Sequence, residues 1–556
     1  MTLRVTGLLT VALLAAAATA AWAGLQIPPV MQPRRPAGAT PGPTAPGGTA
    51  AVPAAPAPPG VGGAARSQFV YPGANGRLVY VADKDGNRLP DFSWCGYMGG
   101  GVTLPDVAVR LTVEPAATGD DTARLQDAIN KVSALPLGAG GFRGAILLKK
   151  GTYRIAGTLK IAADGVVLRG EGQGERDTVL IATGATQRTL ISFSGGGRAS
   201  EVRGSRQAVA DASVPLGART ITLASAAGFK PGDRIIVLRP SVQAWFDVIG
   251  ANKLENPWQP GSKDLRFERT VTAVEGNRLA FDVPLCNDLK AEYGGGFVYK
   301  VGGSDRLRNV GIENLRGDSE YKGDTDEDHG WNLVQFTGVE NGWAKDVTSL
   351  HFGYSCVGIG GGSRNITVED CSCLDPISLI EGGRRYSFAV TGQMNLVQRC
   401  VTRHGRHDFV MHATVPGPNV FLDCRAEKAH SDTGPHHRWS CGTLYDNVSV
   451  SGHAMNVQNR GNSGTGHGWA GAYMVFWNSR ADSIDCQKPP TAQNYAIGCI
   501  TPRQKGTGAW DSPGRPVEPR SLYLAQLAER LGPQAVKAIA PGAPRPRPDM
   551  TPVGGR

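Results

Sequence analysis

No histidine occurs before residue 329, and all ten lie between His329 and His467. No cysteine precedes Cys95, none of the ten cysteines forms a Cys-x-x-Cys pair, and His-Glu-x-x-His is absent. These gaps exclude a lipid-anchored N-terminal cysteine, an ordinary zinc knuckle and a zincin-type metal site. Beyond the N-terminal apolar run no segment reaches the ~20 apolar residues a spanning helix needs. Nucleic-acid motifs and interleaved basic and aromatic residues are also missing, which excludes nucleic acid as a partner. The net charge is +10, part of it in an Arg-rich tail, and favours an acidic partner by long-range attraction.

The ends of the chain are low in complexity. Met1-Thr2-Leu3-Arg4 precedes an apolar run from Gly7 to Ala21, and Ala21-Trp22-Ala23 offers small residues before a cut at Gly24. Residues 1–23 are therefore expected to be a secretory signal peptide, which makes the mature chain secreted or periplasmic. Residues 24–67 are rich in Pro, Ala and Gly and are expected to be a linker. Residues 502–556 form a Pro- and Arg-rich tail with one helical stretch, Ser521 to Ala540, whose Leu524, Leu527 and Leu531 share a face. An exported chain permits disulfides, so the redox state of the cysteines stays open.

Seven segments repeat the pattern apolar, any residue, Asn or Asp (in six of the seven), then apolar or small. Their third positions are Asn314, Asp346, Asp370, Arg399, Asp423, Asp446 and Asn478, spaced 32, 24, 29, 24, 23 and 32 residues apart. A unit of this length signals a solenoid. The units lack 3.6-residue periodicity and alternate like strands, as in Asn365-Ile366-Thr367-Val368-Glu369. A recurring Asx suits a tight left-handed turn. Stacked rungs would superpose Cys371, Cys400 and Cys424 as an interior ladder. The fold class is all-β, a parallel β-helix. Gly119-Asp120-Asp121-Thr122 opens a helix with Leu125, Ala128, Ile129 and Val132 on one face, which covers the open end of the coil.

The stretches GDDTARLQDAINKV and AILLKKGTYRIAGTLKIAADGVVLRGEG, within residues 119–172, resemble the entry to the pectate-lyase-like right-handed parallel β-helix superfamily. That superfamily includes polysaccharide lyases, polygalacturonase-type glycosidases and phage tailspikes. The resemblance implies the fold, not one reaction. On this reading residues 68–204 are the N-terminal cap and first rungs. Residues 205–290 are an inserted β-barrel-like module, whose Trp245 and Trp258 are either core or sugar platforms. Residues 291–501 are the rungs that carry the site.

Clusters of His, Arg and Asp open successive rungs: DEDH at 326–329, RRY at 384–386, RHGRHD at 403–408, HSDTGPHHRW at 430–439 and GHGW at 466–469. Rungs lie ~4.8 Å apart, so dispersed clusters become one groove. β-Elimination on a uronate needs its carboxylate charge offset, a base for the C5 proton and an acid for the leaving oxygen. Arg385, Arg406 and Arg438 are candidates to offset the charge, His407 or His437 to be the base, and Tyr386 or a second histidine the acid. Asp408 is the candidate to fix the His407 tautomer. His436 and His437, as strand neighbours, should point to opposite sides. His412, His436, His467 and Trp469 join Arg385 as candidate substrate-binding residues.

Hydrolysis would need two carboxyl groups flanking a bond, with Asp326, Asp328, Asp375, Glu381, Asp408 and Asp432 as candidates. Of the polygalacturonase motifs only Gly466-His467-Gly468 is present. Asp326 and Asp328 are the candidate ligands for calcium. The expectation is a monomeric enzyme acting on an acidic polysaccharide, without membrane insertion. Elimination leads, with a glycoside hydrolase or a non-catalytic polysaccharide-binding protein as alternatives.

Overall fold

The computed structural model describes residues 64–196 and 199–540. The expected signal peptide, the linker up to residue 63 and the tail after residue 540 lie outside the described residues. No helix among the described residues is long and apolar enough to cross a membrane.

The chain is a right-handed parallel β-helix. Seven parallel strands stack into one face in the order Leu159–Ile161, Arg188–Ser194, Gly330–Thr337, Ser355–Ile359, Phe388–Val390, Phe409–Met411 and Gly434–Pro435. The other faces repeat the same way. Thr367–Glu369 pairs with Leu396–Gln398, and that with Asn419–Leu422; Ser372–Leu374 pairs with Val401–Arg403, and that with Arg425–Glu427. Consecutive parallel strands with right-handed crossovers coil the chain in one sense.

The repeat read from the sequence is a column of left-handed turn residues. Asn314, Asp346, Asp370, Arg399, Asp423, Asn447 and Asn478 all have φ between 49° and 55°. The left-handed conformation costs most residues ~1–2 kcal/mol, and Asn and Asp tolerate it best. On the sixth rung the turn residue is Asn447, one place after the expected Asp446. Leu422 pairs with Asp446, which puts Asn447 beside Asp423. Arg399 fills the one rung without an Asx and reaches back to Asp370, with Nε and Nη2 each 2.8 Å from a carboxylate oxygen. The residue after each turn points inward and builds a ladder: Leu315, Val347, Cys371, Cys400, Cys424, Val448 and Ser479, all buried. All ten cysteines are buried and unpaired. Ring stacks such as Phe421 on Tyr445 (centroids 5.1 Å apart) continue the interior.

The helix Thr122–Ser133 covers the end of the coil with Leu125, Ala128, Ile129 and Val132 buried. Asp121 ties it to the first rungs by accepting from the Arg154 N–H at 3.1 Å. The C-terminal stretch is two helices, Leu522–Leu531 and Pro533–Ile539, because Gly532-Pro533 interrupts it. Its buried face is Leu522, Tyr523, Gln526 and Leu527, whereas Leu531 is exposed.

Between the early and late rungs stands an antiparallel module. Its six-stranded sheet runs Gln207–Ala208, Phe297–Lys300, Arg234–Arg239, Leu265–Glu275, Arg278–Phe281 and Thr220–Thr222. Trp245 and Trp258 are buried in its core, so neither is a sugar platform. A buried ion-pair network, Glu268 with Arg306 and Arg364, pins the module to the coil. Trp258 also donates through Nε1 to the Gly466 carbonyl at 3.1 Å. The module therefore backs the loop that carries His467.

Candidate functional site

Five of the ten histidines meet on the outer face of the seven-stranded sheet. Ala389, Val410 and Gly434 stand in one register across three rungs and leave room above the sheet. Tyr386 folds into that room and packs on Ala389, Val410 and Tyr354. His407 then sits edge-on to the Tyr386 ring at 5.0 Å and lies 4.5 Å from His436, centroid to centroid. His436, His437 and His467 are mutually 5.0–5.1 Å apart, and His412 lies 6.0 Å from His437.

Main-chain pairing brings these side chains together. The amides of Arg406 and His407 both donate to the Arg385 carbonyl. His436 N–H donates to the Met411 carbonyl, and Arg438 N–H to that of His467. Strand Gly434–Pro435 ends before His436, and Arg438 and Trp439 have φ of 55° and 56°. The chain turns there, so both His436 and His437 join the cluster rather than facing opposite ways. Ser440–Cys441 pairs with Gly471–Ala472.

Hydrogen bonds fix the central imidazole. His407 Nδ1 donates to the Asp432 carbonyl oxygen at 2.7 Å, and the Asp432 carboxylate lies 3.7 Å away. With Nδ1 protonated, Nε2 carries the lone pair, and it has no protein partner. Asp432 also pairs with Arg460. Burial pushes the Asp432 carboxyl up, but His407 and Arg460 together hold it below its ordinary value. Two phenol–imidazole pairs sit on neighbouring rungs. Tyr386 Oη is 3.0 Å from His436 Nε2, and Tyr354 Oη is 3.3 Å from His412 Nε2.

Burial keeps these imidazoles neutral. It lowers His407, His412 and His467 to about 4, and with neighbouring cations and imidazoles it lowers His436 and His437 further. Burial raises the Tyr386 phenol, and the nearby Arg406 partly offsets this. Five buried nitrogens of this one cluster lack a protein partner: His407 Nε2, His436 Nδ1, His437 Nδ1, His467 Nδ1 and Arg460 Nε. Buried polar atoms are nearly always paired, so their convergence marks a place built for a polar ligand.

Several expected site residues lie elsewhere. Asp408 does not touch His407. It points beneath the sheet, accepts from Ser387 Oγ at 2.7 Å, and is raised to about 6 by burial. Arg385 has φ of 55° and spends its guanidinium on the Ser378 carbonyl at 2.6 Å, pinning a loop. Arg438 donates to the Thr465 carbonyl at 3.0 Å at the edge of the cluster. Trp469 packs towards the module and donates to the Ile249 carbonyl at 3.1 Å. Asp326 accepts from the N–H groups of its own loop, Lys322 and Asp328, and Glu327 pairs with Arg384. Among the described residues no three His, Cys, Asp or Glu side chains are grouped to hold a metal ion. The acidic loop is thus closed on itself rather than arranged around calcium.

No family model matches this chain. No curated protein matches it either. Among solved structures, the tailspike protein gp49 from Pseudomonas phage LKA1 matches at 14% identity over 70% of this chain and 71% of its own, with a TM-score of 0.34. The tailspike protein of E. coli bacteriophage HK620, in complex with a pentasaccharide, matches at 12% identity over 80% and 68%, TM-score 0.35. A glycoside hydrolase matches at 9% identity over 75% and 98%, TM-score 0.25. At these scores the likenesses bear on neither substrate nor reaction, and the fold rests on the strand pairing of the chain itself.

Sequence reasoning missed Arg460, Tyr354 and Trp331. Arg460 and Tyr354 stand outside the charged clusters, and Trp331 follows DEDH closely without carrying charge. The rung register, which pairs Asn332 with Ser355 and so sets Trp331 beside Tyr354, brings the two rings together.

Proposed function

We propose that this chain is an exported enzyme of pectate-lyase-like type that cleaves an acidic, uronate-containing polysaccharide by β-elimination. The observation that carries the reading is His407: its Nδ1 is committed to the Asp432 carbonyl, and its Nε2 is a free, neutral acceptor among other unpartnered nitrogens. His407 Nε2 takes the C5 proton, the C4–O bond breaks as the C4–C5 double bond forms, and Tyr386 protonates the departing oxygen. His407 then gives up the proton it took, and Tyr386 regains one, by exchange with solvent. Arg406 and Arg460 offset the uronate carboxylate, a charge-assisted role that suits the guanidinium fork. The export part of this proposal rests on the signal-peptide-like sequence of residues 1–23.

The carboxyl groups that hydrolysis would use are dispersed, which favours elimination. Asp375 is taken by Arg403 and His404, Asp408 lies under the sheet, and Asp432 is paired with Arg460. Incubation with a panel of uronate polymers tests the reading. New ultraviolet absorbance from unsaturated uronate ends is expected. Reducing ends without that absorbance would make the chain a hydrolase, and retention without cleavage a binding protein.

A further inference from the structure

Three aromatic rings rise along the coil axis on consecutive rungs beside the histidine cluster. Trp331 and Tyr354 are near-parallel, with centroids 6.3 Å apart and planes 24° apart; Tyr354 and Tyr386 are 5.1 Å apart at 32°. Trp331 and Tyr354 are both half-buried. Trp331 lies over Gly353, where a Cβ would come within 2.5 Å of the indole. The next residues, Asn332 and Ser355, are tied across the rungs by a 2.7 Å hydrogen bond, and Asn332 Nδ2 reaches Thr189 Oγ1 at 3.2 Å. Loop 376–384 stands beside the strip and is fixed by the two-point pair of Arg384 with Glu327 at 2.6 and 2.9 Å.

We infer that Trp331 and Tyr354 form a stacking subsite for the pyranose rings of the glycan, leading along the coil axis to the histidine cluster. The inference rests on the glycan-binding part of the function proposed above. A sugar ring has an apolar face of C–H bonds and a polar rim. Rigid aromatic faces match the first, and the orphaned nitrogens at the end of the strip match the second. The rings step with the rungs, ~4.8 Å each, so the occupant is an extended chain lying parallel to the axis rather than a single sugar. Tyr354 serves twice, as platform and as partner of His412. Trp331 contacts no histidine in the cluster and is the cleaner probe.

The test uses the full chain and its Trp331→Ala and Trp331→Phe variants. Mobility is followed in gels cast with polygalacturonate, with alginate or with neutral dextran, and KM and kcat are measured on any polymer that is cleaved. Trp331→Ala is expected to weaken binding or raise KM about tenfold, equivalent to ~1.4 kcal/mol, with kcat nearly unchanged, and Trp331→Phe to recover most of the loss. Unaltered retention and KM in Trp331→Ala would overturn the subsite while leaving the elimination reading intact. Retention that depends on Trp331, without any cleavage, would support the subsite and overturn elimination. If none of the three polymers retards the unmodified chain, the subsite proposal falls. Melting temperature and the Phe variant separate loss of the platform from loss of the fold.

Discussion

The backbone carbonyl of Asp432 holds His407 Nδ1 at 2.7 Å, and the side chain of the same residue pairs with Arg460. One residue thus sets the tautomer of the central imidazole through its main chain and anchors the central cation through its side chain. If His407 is the base, His407→Ala lowers turnover by about 10²–10⁴-fold, the usual weight of a general base. Asp432→Asn, which keeps the main-chain carbonyl, costs less. Steady-state rates on a cleaved uronate polymer decide this. Intact activity in both His407→Ala and His437→Ala would remove the base assignment.

Arg460 and Asp432 are coupled in stability as well. Asp432 is buried, so Arg460→Met strands its carboxylate and is expected to cost ~3–5 kcal/mol in denaturant unfolding. The double variant Arg460→Met, Asp432→Asn should recover much of that loss. Additive effects of the two substitutions would show that the pair does not act as a unit.

The histidines also set a pH window. His407, His412 and His467 sit near 4 when folded, against 6.5 in an ordinary imidazole. The unfolded chain takes up these protons first as pH falls. Their contribution to stability is therefore full above pH 6.5 and is lost as pH falls towards 4. Melting temperature should drop across that window, and less steeply in His412→Gln. The acid limb of kcat/KM should fall near pH 4 rather than 6.5 if His407 is the base. A rate that halves at 6.5 would contradict a buried, neutral His407.

The fold was legible in the sequence because its signal is local. A left-handed turn demands Asn or Asp at one place per rung, and Asn314, Asp346, Asp370, Asp423 and Asn478 display it directly. Arg399 breaks the rule by taking its compensation from Asp370 one rung earlier, and Asp446 was misplaced because Asn447 beside it also suits the turn. The grouping of His407, His436, His437 and His467 followed from the same rung logic. The partners of individual side chains did not. Asp408 is next to His407 in sequence, but alternation along a strand sends it beneath the sheet, while Asp432, 25 residues away, takes the place expected for it. Arg385 resembled a substrate clamp in composition, and only its positive φ and the loop at Ser378 explain its conservative structural use.

The turn column makes a prediction that runs against ordinary substitution trends. Asp370 has φ of 55° and carries the Arg399 guanidinium. Replacing it with either Gly or Ala loses that ion pair equally. Glycine enters the left-handed region freely, whereas alanine meets its Cβ penalty there, so Asp370→Gly should be more stable than Asp370→Ala by ~1 kcal/mol. In a helix or a strand interior the order is the reverse. Paired urea melts of the two variants read the difference directly, with the shared loss of the ion pair cancelling. A more stable alanine variant would mean that residue 370 does not hold the left-handed conformation, and the stacking of turns from Asn314 to Asn478 would lose its physical basis.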